Sequence, residues 1–228
     1  MISFFTILLP ILFGILSIKL SSSKFNKQLM LDSTTLKEPI LKALLKKFTS
    51  VLDIPPIKIM IYEIKGINGL ATSNGSIFIT RGCLDAFYTG KITAEEISTI
   101  VAHELGHVAL GHSKRRIIDF SSQSALRIIL SLTIGRFVPA LGAFVANAIT
   151  SLLAAKLSRK DEFEADAYAA ALLIKSGLGI EPQISLLRKL NSLSELNQQT
   201  PAWLMSHPKP ALRINAIKEL KDKWSDLN

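Results

Sequence analysis

The chain has 228 residues, enough for one domain with a full hydrophobic core. Hydrophobic residues make up 48% and the mean hydropathy is +0.33, high for a purely soluble protein, while 27 Lys+Arg against 18 Asp+Glu give a net charge of +9. A single cysteine, Cys83, excludes an intrachain disulfide framework and fits a reducing compartment. Basic residues such as Lys42, Lys46, Lys47, Lys114, Arg115, Arg116, Lys218, Lys221 and Lys223 are dispersed among acids and apolar positions. No nucleic-acid motif goes with them, so the expected partner is an anionic membrane surface and not nucleic acid.

In chain order, the first predicted element runs from Ile2 to Ile18. It carries no charge and as a helix would rise about 26 Å, close to the thickness of a bilayer core. Pro10 and Gly14 are tolerable in such a span. No basic residue precedes it and no clear small-x-small cleavage site follows. Residues 1–20 therefore read as an uncleaved transmembrane anchor, with a removed signal sequence as the alternative. Lys19, Lys24 and Lys27 follow the span, so the positive-inside rule places the rest in the cytoplasm, the periplasmic or extracellular side being the alternative.

A linker is expected over 21–35, then one domain over 36–228. Its first helix lies near Leu36 to Leu52 and is broken by Pro55-Pro56; strands follow near Ile57 to Ile64 and at Ser76 to Thr80. The second strand alternates after Asn74-Gly75 and is expected at a sheet edge, where Ser76, Ile77, Phe78 and Ile79 could pair with an extended peptide. From Thr93 onward the chain reads almost entirely helical. The stretch from about 124 to 157 is apolar, interrupted by Arg127 and Arg136, then by Pro139, Gly142 and Asn147. It is expected to form a helical hairpin that packs on the core and dips into lipid, with buried core helices as the alternative. Asn191 to Pro201 reads as a polar loop able to cover a site, and a tail helix closes the chain. The fold class is α+β, predominantly helical, with a small sheet.

The chemistry is concentrated at His103-Glu104-Leu105-Gly106-His107. Thr93 with Glu96 forms a capping box, Ile97, Ile100, Val101, Leu105 and Val108 give a helical apolar period, and Gly111 supplies a stop. On that helix His103 and His107 are i and i+4, so both imidazoles can reach one metal ion. Glu104 lies about 100° round the cylinder, where it can meet a water without ligating. His112, nine residues from His103, is a poor ligand and suits the helix C-terminus better. Two imidazoles leave tetrahedral zinc in need of one more protein ligand. The helical run Ser158 to Ala171 offers Glu162 and Asp166 on one face, with Glu164 about 200° from Glu162. Glu162 is the expected ligand and Asp166 the acceptor for a ligand histidine's second N–H. Asp161 and Glu164 are expected on a solvated face, and the alanines at 165, 167, 169, 170 and 171 allow another helix to come close.

These pieces resemble the M48 family of membrane-associated zinc metallopeptidases, over about residues 55 to 217. The likeness rests on Asn68-Gly69-Leu70-Ala71 with Gly75 to Gly82, on the two-histidine helix, on Ser158-Arg159 with Glu162, Ala165 and Asp166, and on Ser206-His207-Pro208 with Arg213-Ile214. The resemblance implies a zincin-like domain holding one Zn2+ through His103, His107 and Glu162, with Glu104 as general base. It also implies that His207 donates to the oxyanion of peptide attack. Asp166, Arg159 and Arg213 are expected around the ligands, Arg213 either bracing the site through a carboxylate or facing solvent. Gly69 stands where relatives commonly carry Ala, a departure expected to matter little. The resemblance implies endopeptidase cleavage of an extended or unfolded polypeptide at a membrane, in a quality-control role. The rival from another class is a metal-stabilised membrane chaperone or scaffold that does not cleave peptides.

Overall fold

A computed structural model describes residues 23–72, 74–112, 114–115, 123, 126–131, 134, 136, 139–197 and 209–225, together with Leu12, Leu16 and Leu20. The chain divides into two compact units, one of residues 1–28 and 111–160, the other of residues 29–110 and 161–228. The fold is mostly helical with a small mixed sheet.

In the second unit the sheet has the order β1-β2-β4-β3, with β1 Ser33–Thr35, β2 Ile59–Tyr62, β3 Gly69–Ala71 and β4 Ile77–Thr80. β2 and β4 run parallel, Ile59 opposite Ile77, while β1 and β3 are antiparallel to their neighbours. Side-chain alternation along the strands splits the buried residues between two faces. Ile59, Ile61, Ile77 and Ile79 enter the main core, whereas Met60 and Phe78 pack with Leu29 in a smaller cluster.

Helix α1, Pro39–Leu52, begins with proline in its first turn, where a missing N–H costs nothing, and ends at Asp53 in the left-handed region (φ 51°). It buries Leu41, Leu44, Leu45 and Phe48, the i, i+3, i+4, i+7 stripe. Helix α2, Arg81–Tyr88, follows β4 directly. Helix α3, Ala94–Ala109, carries the expected capping box: the Glu96 N–H donates to Thr93 Oγ1 at 3.2 Å and the Thr93 N–H to Glu96 Oε2 at 2.8 Å. Gly111, at φ 66°, follows its C-cap. α3 is buried on nearly every side, touching α1, α2, β3 and β4. Helix α4, Pro139–Lys175, is one continuous element; α5, Glu181–Asn197, and the tail helix α6, Pro210–Ser225, pack on each other.

Several expectations are corrected. The supposed linker is structured: residues 23–31 are helical and Ser33–Thr35 pairs with β2. The strand at Ser76–Thr80 is not an edge. β4 is hydrogen-bonded on both sides, to β2 and β3, and Ile77, Phe78 and Ile79 are fully buried, so an added peptide has no ladder to join there. Among the described residues the edge next to α3 is β3. The polar segment expected as a loop from Asn191 stays helical to Asn197, and α2 was not foreseen.

The first unit is described mainly by its helical segments, residues 126–131 and the start of α4. Large apolar side chains remain exposed here, among them Phe25, Ile129, Phe144, Ile149 and Leu152. Among the described residues no helix is long and apolar enough to cross a membrane. The anchor expected at Ile2–Ile18 lies outside the described residues, except for Leu12 and Leu16, as does the turn of the hairpin expected over 124–157.

Candidate metal centre

The site is built where α3 crosses the C-terminal half of α4. Its closeness depends on small residues. A Cβ placed on Gly106 would lie 3.1 Å from both Cα and the carbonyl oxygen of Ala165, and 3.2 Å from Tyr168 Cβ. Ala165, Ala169 and Ala170 are fully buried. With glycine facing alanine at the crossing the two backbones approach closely, and Glu162 comes into reach of the histidines one turn away.

His103 and His107 turn their Nε2 atoms to a common point, 3.1 Å apart. Glu162 Oε2 lies 3.3 Å from His103 Nε2, and Oε1 lies 3.6 Å from His107 Nε2. All three residues are buried. Ligand bonds of about 2.1 Å in a tetrahedron put neighbouring ligand atoms about 3.4 Å apart. The observed triangle has that size, and its two imidazoles and one carboxylate are donors of the type zinc accepts. These three residues fit a divalent cation with a coordination position to spare.

Behind the ligands is a second layer. His103 Nδ1 meets Asp166 Oδ1 at 3.0 Å, which fixes the tautomer that leaves Nε2 to face the cation position. Arg213 grips the same carboxylate with a fork, Nε to Oδ2 and Nη2 to Oδ1, both at 2.6 Å. Both residues are 1% exposed. Burial pushes the Asp166 carboxyl up, but the charge and hydrogen bonds of Arg213, with those of His103, hold it well below the usual carboxylate range. Burial lowers the His103 pKa, yet hydrogen bonds to Asp166 and Glu162 outweigh it and raise it to about 9. A divalent cation at Nε2 displaces that proton.

Glu104 is 4% exposed on the same helix and lies beside β3. A Cβ on Gly69 would run into Ile100 Cγ2 and sit 3.2 Å from Glu104 Cγ. Gly69 is therefore not a neutral departure here: it lets β3 lie flat against the helix at the level of Glu104.

Arg213 braces the site through a carboxylate, the first of the two options left open. Arg159 does not join this layer; residues 158–160 of α4 are exposed, and the buried stretch that carries Glu162 starts after them, at Asp161. Asp161 and Glu164, expected on a solvated face, are respectively buried and half-buried, and His112 is buried too. His207 lies outside the described residues. Three contributors escaped the sequence. Gln183 donates from Nε2 to the Asp166 carbonyl (3.3 Å) and to Oδ1 (3.4 Å). Ser185 (2.7 Å) and Lys189 (2.8 Å) bind the Glu96 carboxylate, tying α5 to the start of α3. All three lie on α5, where no spacing rule relates them to the motif.

A family model described as "Peptidase family M48" matches residues 35–221, so the chain belongs to peptidase family M48. It is similar to "Metalloprotease LoiP" of Escherichia coli (strain K12), 29% identical over 165 residues, covering 72% of this chain and 62% of that protein. It is also similar to "Protease HtpX" of Thioalkalivibrio sulfidiphilus, 27% identical, covering 67% of this chain and 60% of that protein. "Metalloendopeptidase OMA1, mitochondrial" of Homo sapiens is 24% identical, with 68% of this chain and 30% of that protein covered. The chain thus spans less than two thirds of the length of these relatives.

Proposed function

We propose that the protein is a membrane-associated zinc metalloendopeptidase, with His103, His107 and Glu162 as ligands and Glu104 as general base. The observation that carries this reading is the triangle of 3.1 to 3.6 Å between three buried ligand atoms, with Glu104 on the same helix as two of them. Bound there, zinc supplies a Lewis acid for the scissile carbonyl and an acidified water, with a pKa near ~7. Glu104 takes the water's proton at its carboxylate and returns it to the leaving nitrogen. Asp166, held by Arg213 and Gln183, keeps the His103 ring oriented throughout. His207 is assigned the oxyanion-facing donor by family resemblance. The substrate is an extended polypeptide segment that pairs with the open edge of β3, Gly69–Ala71, above the helix that bears the base.

Charge distribution supports the membrane partner. Residues 1–28 and 111–160 hold 11 Lys and Arg and one acid, Asp119, while the other unit has 16 Lys and Arg against 17 acids. The whole excess positive charge thus falls in the unit with the exposed apolar helices, a combination suited to an anionic leaflet. The three lysines after the Ile2–Ile18 span favour a cytoplasmic catalytic domain. The family likeness suggests protein quality control, with misfolded membrane proteins as substrates, as part of this proposal.

The test is zinc content and casein digestion of the protein purified in detergent. Wild type binds one zinc and cleaves. Glu104→Gln keeps zinc and loses cleavage by about 100-fold or more; Glu162→Ala loses both. Equal cleavage by wild type and Glu104→Gln overturns the assignment of the base. A zinc-loaded wild type that cleaves nothing leaves the scaffold reading in its place.

A further inference from the structure

At the sheet edge opposite β3, between α1 and the start of β2, lies a cavity of about 410 Å³. This is within the size range of small-ligand sites, about 300–1,000 Å³. Leu36, Leu45, Ile57 and Ile59 form its apolar wall. Lys42, Lys46 and Lys58 line it as well, all three exposed, and among the described residues no acidic side chain does. Among the described residues none of these three ammonium groups makes an ion pair or hydrogen bond. Lys42 and Lys46 are also i and i+4 on α1, where like charges repel. None of these residues belongs to the metal centre.

An apolar chamber with several unneutralised cations at its edge matches one kind of ligand, an apolar chain ending in an anion. A neutral apolar ligand would leave the ammonium repulsion in place, and a small anion would leave the chamber empty. We propose that this pocket binds the anion of a free single-chain fatty acid, its chain against Leu36, Leu45, Ile57 and Ile59 and its carboxylate among Lys42, Lys46 and Lys58. The site is separate from the proposed peptidase chemistry and stands whether or not that reading holds.

The test uses the full chain in nanodiscs of neutral lipid and a twelve-carbon fatty acid bearing a terminal diazirine, with crosslinked peptides mapped by mass spectrometry. Label is expected on segment 35–59. Excess dodecanoate should compete and dodecanol should not. Lys42→Glu/Lys46→Glu/Lys58→Glu should reduce labelling about tenfold or more, a loss of the order expected when several charge contacts are reversed. Ser50→Trp, which places a bulky ring in the cavity, should reduce it with the lysines intact. The circular dichroism spectrum and thermal unfolding midpoint report whether each variant is folded. Label elsewhere only, equal competition by dodecanol, or labelling unchanged in both variants overturns the proposal.

Discussion

Asp166 and Arg213 form a charge pair sealed from solvent, and Asp166 joins it to the candidate metal centre through His103. Removing one partner of such a pair leaves an uncompensated buried charge, which costs about 3–5 kcal/mol. Asp166→Asn is therefore expected to lower the urea midpoint sharply and to reduce zinc affinity about 10- to 100-fold, as lost outer partners of ligand histidines do. An unchanged midpoint with intact zinc binding would show that the pair carries neither load. The pH sign follows from the depressed Asp166 pKa: its contribution is complete above the ordinary carboxylate range and is lost as pH falls through the lowered folded-state value. At this scale the sequence was legible where one helix carried the pattern. His103, Glu104 and His107, and then Glu162 and Asp166, follow from helical spacing. Arg159 could not be placed that way. Position 159 shares a face with Asp166 but lies about two turns earlier, in the exposed stretch 158–160.

At the scale of elements, the decisive contact is the crossing of α3 and α4 at Gly106 and Ala165. Gly106→Val would press a branched side chain into the Ala165 backbone, and neither rigid helix can yield locally. The expected result is loss of zinc binding by equilibrium dialysis, with helicity by circular dichroism close to wild type. Retained zinc affinity would mean the crossing tolerates extra width. The sheet taught the opposite lesson. Alternation over Ser76–Thr80 correctly indicated a strand, but alternation describes two faces and not two edges. The β2–β4 pairing that places it inside joins residues distant in sequence, and no local signal encodes it. The short α2 was missed for a related reason: eight residues straight after a strand contain too few turns to show a period.

For the whole molecule, the net charge of +9 is not spread evenly but lies in the segments 1–28 and 111–160. Basic residues near an anionic surface are worth about 1 kcal/mol each. Reversing Lys24, Lys27, Lys114 and Arg115 to Glu should reduce association with anionic vesicles about tenfold or more at low salt. Reversing Lys218, Lys221 and Lys223, which lie in the charge-balanced unit, should have a much smaller effect. High salt should narrow the difference, since screening shortens the Debye length to about 3 Å at 1 M. Equal effects from both sets, measured by vesicle flotation, would remove the surface-charge account. The charge total was readable from the sequence, but its partition between two units required knowing which distant segments cluster together.

The sequence by itself determined the helix that carries two histidines and a glutamate, its capping box, the carboxylates spaced to answer it, and the membership these motifs announce. The histidines with their glutamate, the capping box and the carboxylates are each patterns within a single helix, the side-chain spacings following its 3.6-residue period, and the membership adds short motifs local in the chain. Tertiary structure alone decided that Glu162 meets both imidazoles, that Arg213 and Gln183 converge on Asp166, that β3 and not β4 is a sheet edge among the described residues, and that Gly69 and Gly106 are needed. Those facts depend on packing between elements far apart in the chain, where a few ångströms of backbone approach decide the outcome and sequence spacing carries no distance.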